Sequence, residues 1–244
     1  MLERATRRIG LYAFVAAGAA TVLAPLLALA YLGTAEGAAE LETGTVSGWA
    51  EPARDLVGGL VTWASPERVY ATYVQLFALL FPAVFLCARA VRPRRPDDVG
   101  RLERWGWRST VFGYGVLSLG LLAAALVLVD ASAAVDGTTA YAVLDLVFMA
   151  LLLPGMAIST IGSTILGIGL LRNRFEPTVA AVLLASAFPA LLVLSTLLGH
   201  NGVALLPLFY AWGAIGFRLW HAGRRSEASC GERVPAPSSA GSRR

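Results

Sequence analysis

Along the chain, apolar residues gather in six blocks of roughly 20 to 30, and charged residues are confined to the gaps between them. Blocks of that length match the ~20 residues a helix needs to cross a hydrocarbon layer ~30 Å thick. The pattern predicts an all-α, polytopic transmembrane bundle of six helices, with spans at about 9–32, 69–91, 109–129, 142–171, 178–198 and 203–222. Residues 1–222 make up that domain. Residues 223–244, rich in Ser, Pro, Ala, Gly and Arg, are expected to form a disordered tail.

Composition agrees with this reading: 57% of residues are hydrophobic, 15% are charged and the mean hydropathy is +0.65. A soluble globular domain, with about 25% charged residues, is excluded. Every basic residue is Arg, a bias that reflects a GC-rich genome rather than a ligand. The net charge of +4 does not point to nucleic acid, because the arginines flank apolar spans instead of interleaving with aromatics. In the six-span arrangement all arginines except Arg54 and Arg68 fall on one side. The positive-inside rule makes that side cytoplasmic and places both termini there.

Arg4, Arg7 and Arg8 precede an apolar run longer than the roughly 7 to 15 residues of a signal-peptide core, so the first span is expected to stay uncleaved. Ala28-Leu29-Ala30 offers a cleavage site as the alternative. Cys87 lies in an apolar span and Cys230 in the tail, with no redox or metal-ligand spacing.

The long outer loop, about 33–68, carries Trp49, Ala53, Leu56, Val57, Leu60, Val61 and Trp63 at near-helical spacing. It reads as an amphipathic helix in the outer interface or, because Gly58 and Gly59 weaken a helix, as an irregular loop over the bundle. Ser65-Pro66-Glu67 reads as a helix cap starting the second span. The basic loop 92–108 suits anionic lipid headgroups, with a docking soluble partner as the lesser reading.

Polar groups inside the spans are few. Gly155, Ser159, Ser163 and Gly167 recur every four residues in the fourth span, a small-residue stripe that another helix can approach closely. Prolines at 25, 82, 154, 189 and 207 mark expected bends in five helices. Asp145 is the one acid within an apolar span, and intramembrane acids are functional candidates by default. With Asp130 and His200 near the same face it defines a candidate ligand or proton site, although the spacing has no metal-site signature. Gln75, Tyr114, Ser186, Ser195 and Thr196 are expected to bond neighbouring helices. The chain has no phosphate-binding, nucleophile-elbow, zinc-protease or prenylation motif, so no catalytic residue, cofactor or metal is assigned.

One pattern spans helices two to five. Cys87-Ala88-Arg89-Ala90-Val91-Arg92-Pro93 closes the second span, and Gly162-Ser163-Thr164-Ile165-Leu166-Gly167-Ile168-Gly169-Leu170-Leu171-Arg172-Asn173-Arg174-Phe175-Glu176-Pro177 leads from the fourth into the fifth. It resembles a family of multi-pass prokaryotic membrane proteins of unknown function. The resemblance implies a six-helix bundle in a prokaryotic cell membrane and brings no activity, cofactor or site residue.

Three functions follow as expectations. The first is a non-enzymatic accessory or scaffold subunit whose small-residue faces pack against a membrane-protein partner or a second copy within the lipid bilayer. The second is a small-solute or ion transporter using the kinked fourth helix and Asp145. The third is an intramembrane enzyme acting on a lipid through Asp145, Asp130 or His200.

Overall fold

The computed structural model describes residues 2–35, 37–38, 47–94, 100–133, 143, 146–198 and 200–231. Among them all regular structure is helical. α1 is Leu2–Tyr31, α2 Ser47–Val61, α3 Pro66–Ala78 and α4 Phe81–Val91, followed by a short turn at Arg92–Arg94. α5 is Arg101–Ala133, and a wide π-helical turn, Phe148–Leu152, leads into α6, Leu153–Arg172. α7 is Thr178–Ala185, α8 Ala187–Leu198, α9 Asn201–Ala204 and α10 Leu206–Gly231. Five helices are long and apolar enough to cross a membrane, or six when the bent pair α7–α8 counts as one span. The chain is an integral membrane protein with an all-α bundle. α10 runs on to Gly231, past the expected boundary at 222, and residues 232–244 lie outside the described set.

The spans close into a ring in chain order. α1 packs on α3 and α4, these on α5, α5 on α6, α6 on α7, α7 on α10, and α10 back on α1. The two most extensive contacts are α5 with α6 and α1 with α10. Both rest on residues without bulk.

Gly106, Gly113 and Gly120 recur every seven residues in α5, and Gly155, Gly162 and Gly169 do the same in α6. A Cβ added at Gly106 would lie 2.6 Å from Leu166 N, at Gly113 2.5 Å from Ser159 N, and at Gly120 3.0 Å from Leu151 Cβ and 3.2 Å from Leu152 N. From the other side, a Cβ at Gly155 would meet Leu117 Cα at 2.9 Å, at Gly162 Thr110 N at 2.7 Å, and at Gly169 Glu103 Cα at 3.0 Å. The facing residue numbers keep an essentially constant sum, so the two helices hold one antiparallel register. Along it the glycines come alternately from α5 and α6. The run from Glu103 to Gly120 is ~26 Å at 1.5 Å per residue, most of the hydrocarbon thickness. A seven-residue repeat keeps this seam facing its partner through a left-handed crossing. α1 and α10 use the same device, with Gly10 against Gly216 O at 2.6 Å and Gly213 against Ala17 Cβ at 2.5 Å. Ala13, Ala16, Ala20 and Ala24 complete that buried face.

Prolines interrupt most spans. α3 and α4 part at Leu79 and Leu80, just before Pro82. The π-helical turn ends just before Pro154, and its wider bore accommodates a ring that would clash with the carbonyl four residues back. α7 and α8 meet at 58° near Ser186, ahead of Pro189, and α9 gives way to α10 ahead of Pro207. Pro25 sits inside an uninterrupted α1. At two of these breaks a freed backbone group finds a partner on a neighbouring helix, as a lipid setting demands. Tyr12 OH donates to Leu79 O, and Thr164 Oγ1 accepts the Phe188 N–H at 3.0 Å. Ser65 does occupy the cap position of α3, but its side chain makes no capping bond; Pro66 and Glu67 start the helix, and Ser65 O accepts from Val69 N at 3.0 Å.

α2 is helical, with a kink at Val57 (φ −116°, ψ 16°) just ahead of Gly58 and Gly59. Its Trp49, Ala53 and Val57 pack on the bundle.

The alternating glycines predict a sharp contrast. Gly113→Ala forces a methyl into the backbone of α6 and should lower stability by about 1–3 kcal/mol. Gly18→Ala, where nothing lies within 4 Å, should be neutral or stabilising by up to about 1 kcal/mol. Thermal unfolding in detergent checks both.

Candidate functional site: a buried polar thread along the third, fourth and sixth spans

Once α5 and α6 touch at their backbones, the side chains between the glycines come within bonding reach. Tyr114, fully buried on α5, pairs with Ser163 Oγ of α6 at 2.7 Å. Ser163 Oγ donates to its own helix at Ser159 O, 2.6 Å away. A hydroxyl has one proton, so Ser163 is the acceptor from Tyr114. Trp212 Nε1 of α10 then donates to Tyr114 OH at 2.8 Å. The result is a directed chain, Trp212 N–H to Tyr114 O–H to Ser163 O–H to Ser159 C=O. Its two ends are an indole and a peptide carbonyl, neither of which exchanges protons in ordinary aqueous pH.

Aromatic rings enclose this chain. Phe81 meets Tyr114 edge-on with centroids 5.8 Å apart, Phe209 meets Phe81 at 5.7 Å, and Trp107 lies 6.0 Å from Trp212. These offset and edge-to-face arrangements suit ring quadrupoles. One turn either side of Tyr114, the buried hydroxyls of Thr110 and Ser118 have no hydrogen-bond partner among the described residues.

At one end of the seam the thread continues to an acid. Glu103, 1% exposed, stands in the first turn of α5, where the helix N-terminus favours a negative charge. Its Oε1 accepts from Trp107 Nε1 at 3.2 Å, and its Oε2 accepts from Asn173 Nδ2 at the end of α6. Gly169 permits that approach. The carboxylate therefore clasps the end of α6 onto the start of α5.

Among the described residues, the arginines other than Arg54 and Arg68 gather at this same end. Arg94 donates to Thr6 Oγ1 at 3.0 Å, tying the turn after α4 to the start of α1, and Arg218 of α10 pairs with Glu176 at 3.1 Å. Phe217, Trp220 and His221 add a ring cluster, with Phe217 and His221 stacked at 5.4 Å.

The residues singled out from the sequence are placed as follows. Gly155 and Ser159 face α5, Ser163 bonds Tyr114, and Gly167 faces α7, where its Cβ would lie 2.2 Å from Ala185 N. The stripe thus serves two neighbours rather than one helix, because steps of four residues rotate it by ~40° each around the axis. Thr160 bonds back to Met156 O at 2.7 Å and Gln75 reaches Ala125 O at 3.5 Å. Asp145 lies outside the described residues, and of Asp130 only the backbone, in α5, is described. Their association with His200 falls outside the described set.

His200 itself is a structural group. Its Nδ1 accepts the Gly202 N–H at 3.0 Å and so caps α9, which leaves the ring proton on Nε2. Tyr31 and Tyr70 pack against it with centroids at 5.3 and 6.3 Å. This enclosure pushes its pKa from 6.5 down to about 4. Among the described residues no three His, Cys, Asp or Glu side chains gather into a metal site.

Glu103 escaped the sequence reading because Arg101, Arg104 and Arg108 made the segment look like loop. The signal was present: Glu103, Gly106, Trp107, Thr110, Gly113 and Tyr114 follow the i, i+3, i+4, i+7 rhythm of one buried face. Comparison with known proteins finds no matching family model, curated protein or solved structure.

Two predictions follow from this geometry. Tyr114→Phe and Ser163→Ala should each cost about 0.5–2 kcal/mol, and the double variant should cost less than both together, as a double-mutant cycle in unfolding experiments would register. For His200 the folded chain favours the neutral ring, so its contribution is fully present above pH 6.5 and falls as pH drops from 6.5 to about 4. The stability advantage of the wild type over His200→Asn should shrink across that window by at most about 3 kcal/mol and stay flat above it.

Proposed function

We propose that this integral membrane protein is a non-catalytic accessory or scaffold subunit of a prokaryotic cell membrane, with both termini on the cytoplasmic side. The observation that carries the reading is the directed hydrogen-bond chain. Trp212, Tyr114 and Ser163 at the heart of the ring are spent on one another, the chain ending in an indole and a peptide carbonyl, and glycine contacts bring the helices around them together. Such an interior holds a shape. The gathering of Arg94, Arg218 and Glu103's basic neighbours at one end supports the orientation through the positive-inside rule.

A membrane scaffold works through its lipid-facing sides. On the far side of α5 from the glycine seam, Trp105, Phe112, Leu119 and Leu126 recur every seven residues and are 63%, 62%, 63% and 70% exposed. A ridge with that repeat suits packing against another transmembrane helix.

The transporter reading keeps one supporting observation, the break between α7 and α8 at 58°, since discontinuous helices line many transport sites. Native mass spectrometry of the protein gently extracted from its own membrane separates the two. A stoichiometric protein partner or a defined oligomer supports the scaffold. A bare monomer carrying a defined small solute, with transport abolished in Asp145→Asn, replaces it with the transporter.

A further inference from the structure

α2 presents three distinct sides. Ala50 is fully buried and Val61 nearly so, and together with Trp49, Ala53 and Val57 they seat the helix on the bundle. Glu51 and Asp55 are exposed on a second side. On a third side lie Leu56 and Leu60, one turn apart, continued by Trp63 just past the helix end. They are 86%, 52% and 52% exposed. Leu56 is thus almost wholly uncovered by protein.

The depth of this apolar side follows from one hydrogen bond. Tyr73 OH, on α3, donates to Leu60 O at 2.7 Å. Tyr73 is seven residues into α3, ~10 Å along the helix from Pro66. The second span, Pro66–Arg94, has 29 residues and is ~43 Å long, so it overshoots a ~30 Å hydrocarbon layer by ~13 Å. With the excess shared between its ends, the Tyr73 backbone lies ~4 Å inside the hydrocarbon boundary, and its hydroxyl, leaning toward the start of the helix, places Leu60 O at about that boundary. The start of α2 stays shallower: Trp49 and Ala50 pack on Tyr31 and Leu32, at the end of α1.

We propose that α2 is a lipid-binding element, seated at the end of the bundle opposite the basic one, whose Leu56, Leu60 and Trp63 side inserts among acyl chains at the bilayer interface while Glu51 and Asp55 remain in water. The occupant of this side is the bilayer itself, because the Tyr73–Leu60 bond holds it beside the second span at the membrane boundary. A Trp at the boundary fits the aromatic belt, and the kink at Val57 with its two following glycines lets the second half of the helix tilt into the membrane.

The test uses the full chain with Cys230→Ser, keeping Cys87, which is fully buried. Single Cys residues at 51, 55, 56, 60 and 63 carry nitroxide labels in vesicles of phosphatidylethanolamine and phosphatidylglycerol. The expected result is that labels replacing Leu56, Leu60 and Trp63 collide several-fold more with oxygen than with a water-soluble nickel chelate, and that labels replacing Glu51 and Asp55 show the reverse. Equal nickel access at all five positions overturns the proposal in favour of a water-exposed helix. Shielding of 56 and 60 from both reagents overturns it in favour of a protein partner. Independently, lipids brominated near the headgroup should quench wild-type tryptophan fluorescence more than that of Trp63→Phe, and identical quenching contradicts the insertion.

Discussion

Backbone contact between α5 and α6 is the constraint on which the other features of the interior depend. In lipid no hydrophobic force drives helices together, so association rests on dispersion and on hydrogen bonds that require close approach. Glycines supplied alternately by the two helices bring the backbones together over most of the membrane thickness. Only at that separation can Tyr114 reach Ser163 and Glu103 reach Asn173. A single added methyl would push the helices apart and stretch both bonds together. The glycine register and the polar thread are one interaction seen at two scales.

The same economy governs the broken helices. A proline in a membrane span leaves a carbonyl or an N–H that water cannot satisfy. Here Tyr12 answers the break before Pro82, Thr164 answers the break before Pro189, and His200 caps the short helix that precedes Pro207. Tyr12 and Thr164 come from other spans, so these two breaks are tied to neighbouring helices, whereas His200 caps its own helix. Consecutive spans lie side by side in chain order, leaving α10 to seal against the alanine face of α1.

The helical class and the spans were legible because block length and composition are properties of the sequence alone. Pairing was not. The stripe Gly155, Ser159, Ser163, Gly167 is visible along one helix, yet its division between α5 and α7 depends on which helices flank it. The seven-residue glycine repeats were equally present in the sequence, but their meaning lies in the match between two repeats separated by a long segment. Glu103 was hidden by the arginines around it, and Tyr114 and Trp212, far apart in the chain, become partners only through the ring. The continuation of α10 to Gly231 runs against a Ser- and Arg-containing stretch that composition alone assigned to the tail.

The interior depends on the antiparallel register in which Gly113 meets Ser159, Gly155 meets Leu117 and Gly106 meets Leu166. Solid-state NMR of the labelled chain in lipid bilayers measures it directly, through carbon–carbon correlations between backbones of α5 and α6. Short-range Cα cross-peaks are expected for all three pairs at once. Cross-peaks displaced by one helical turn, or their absence while Tyr114 still contacts Trp212, would contradict it.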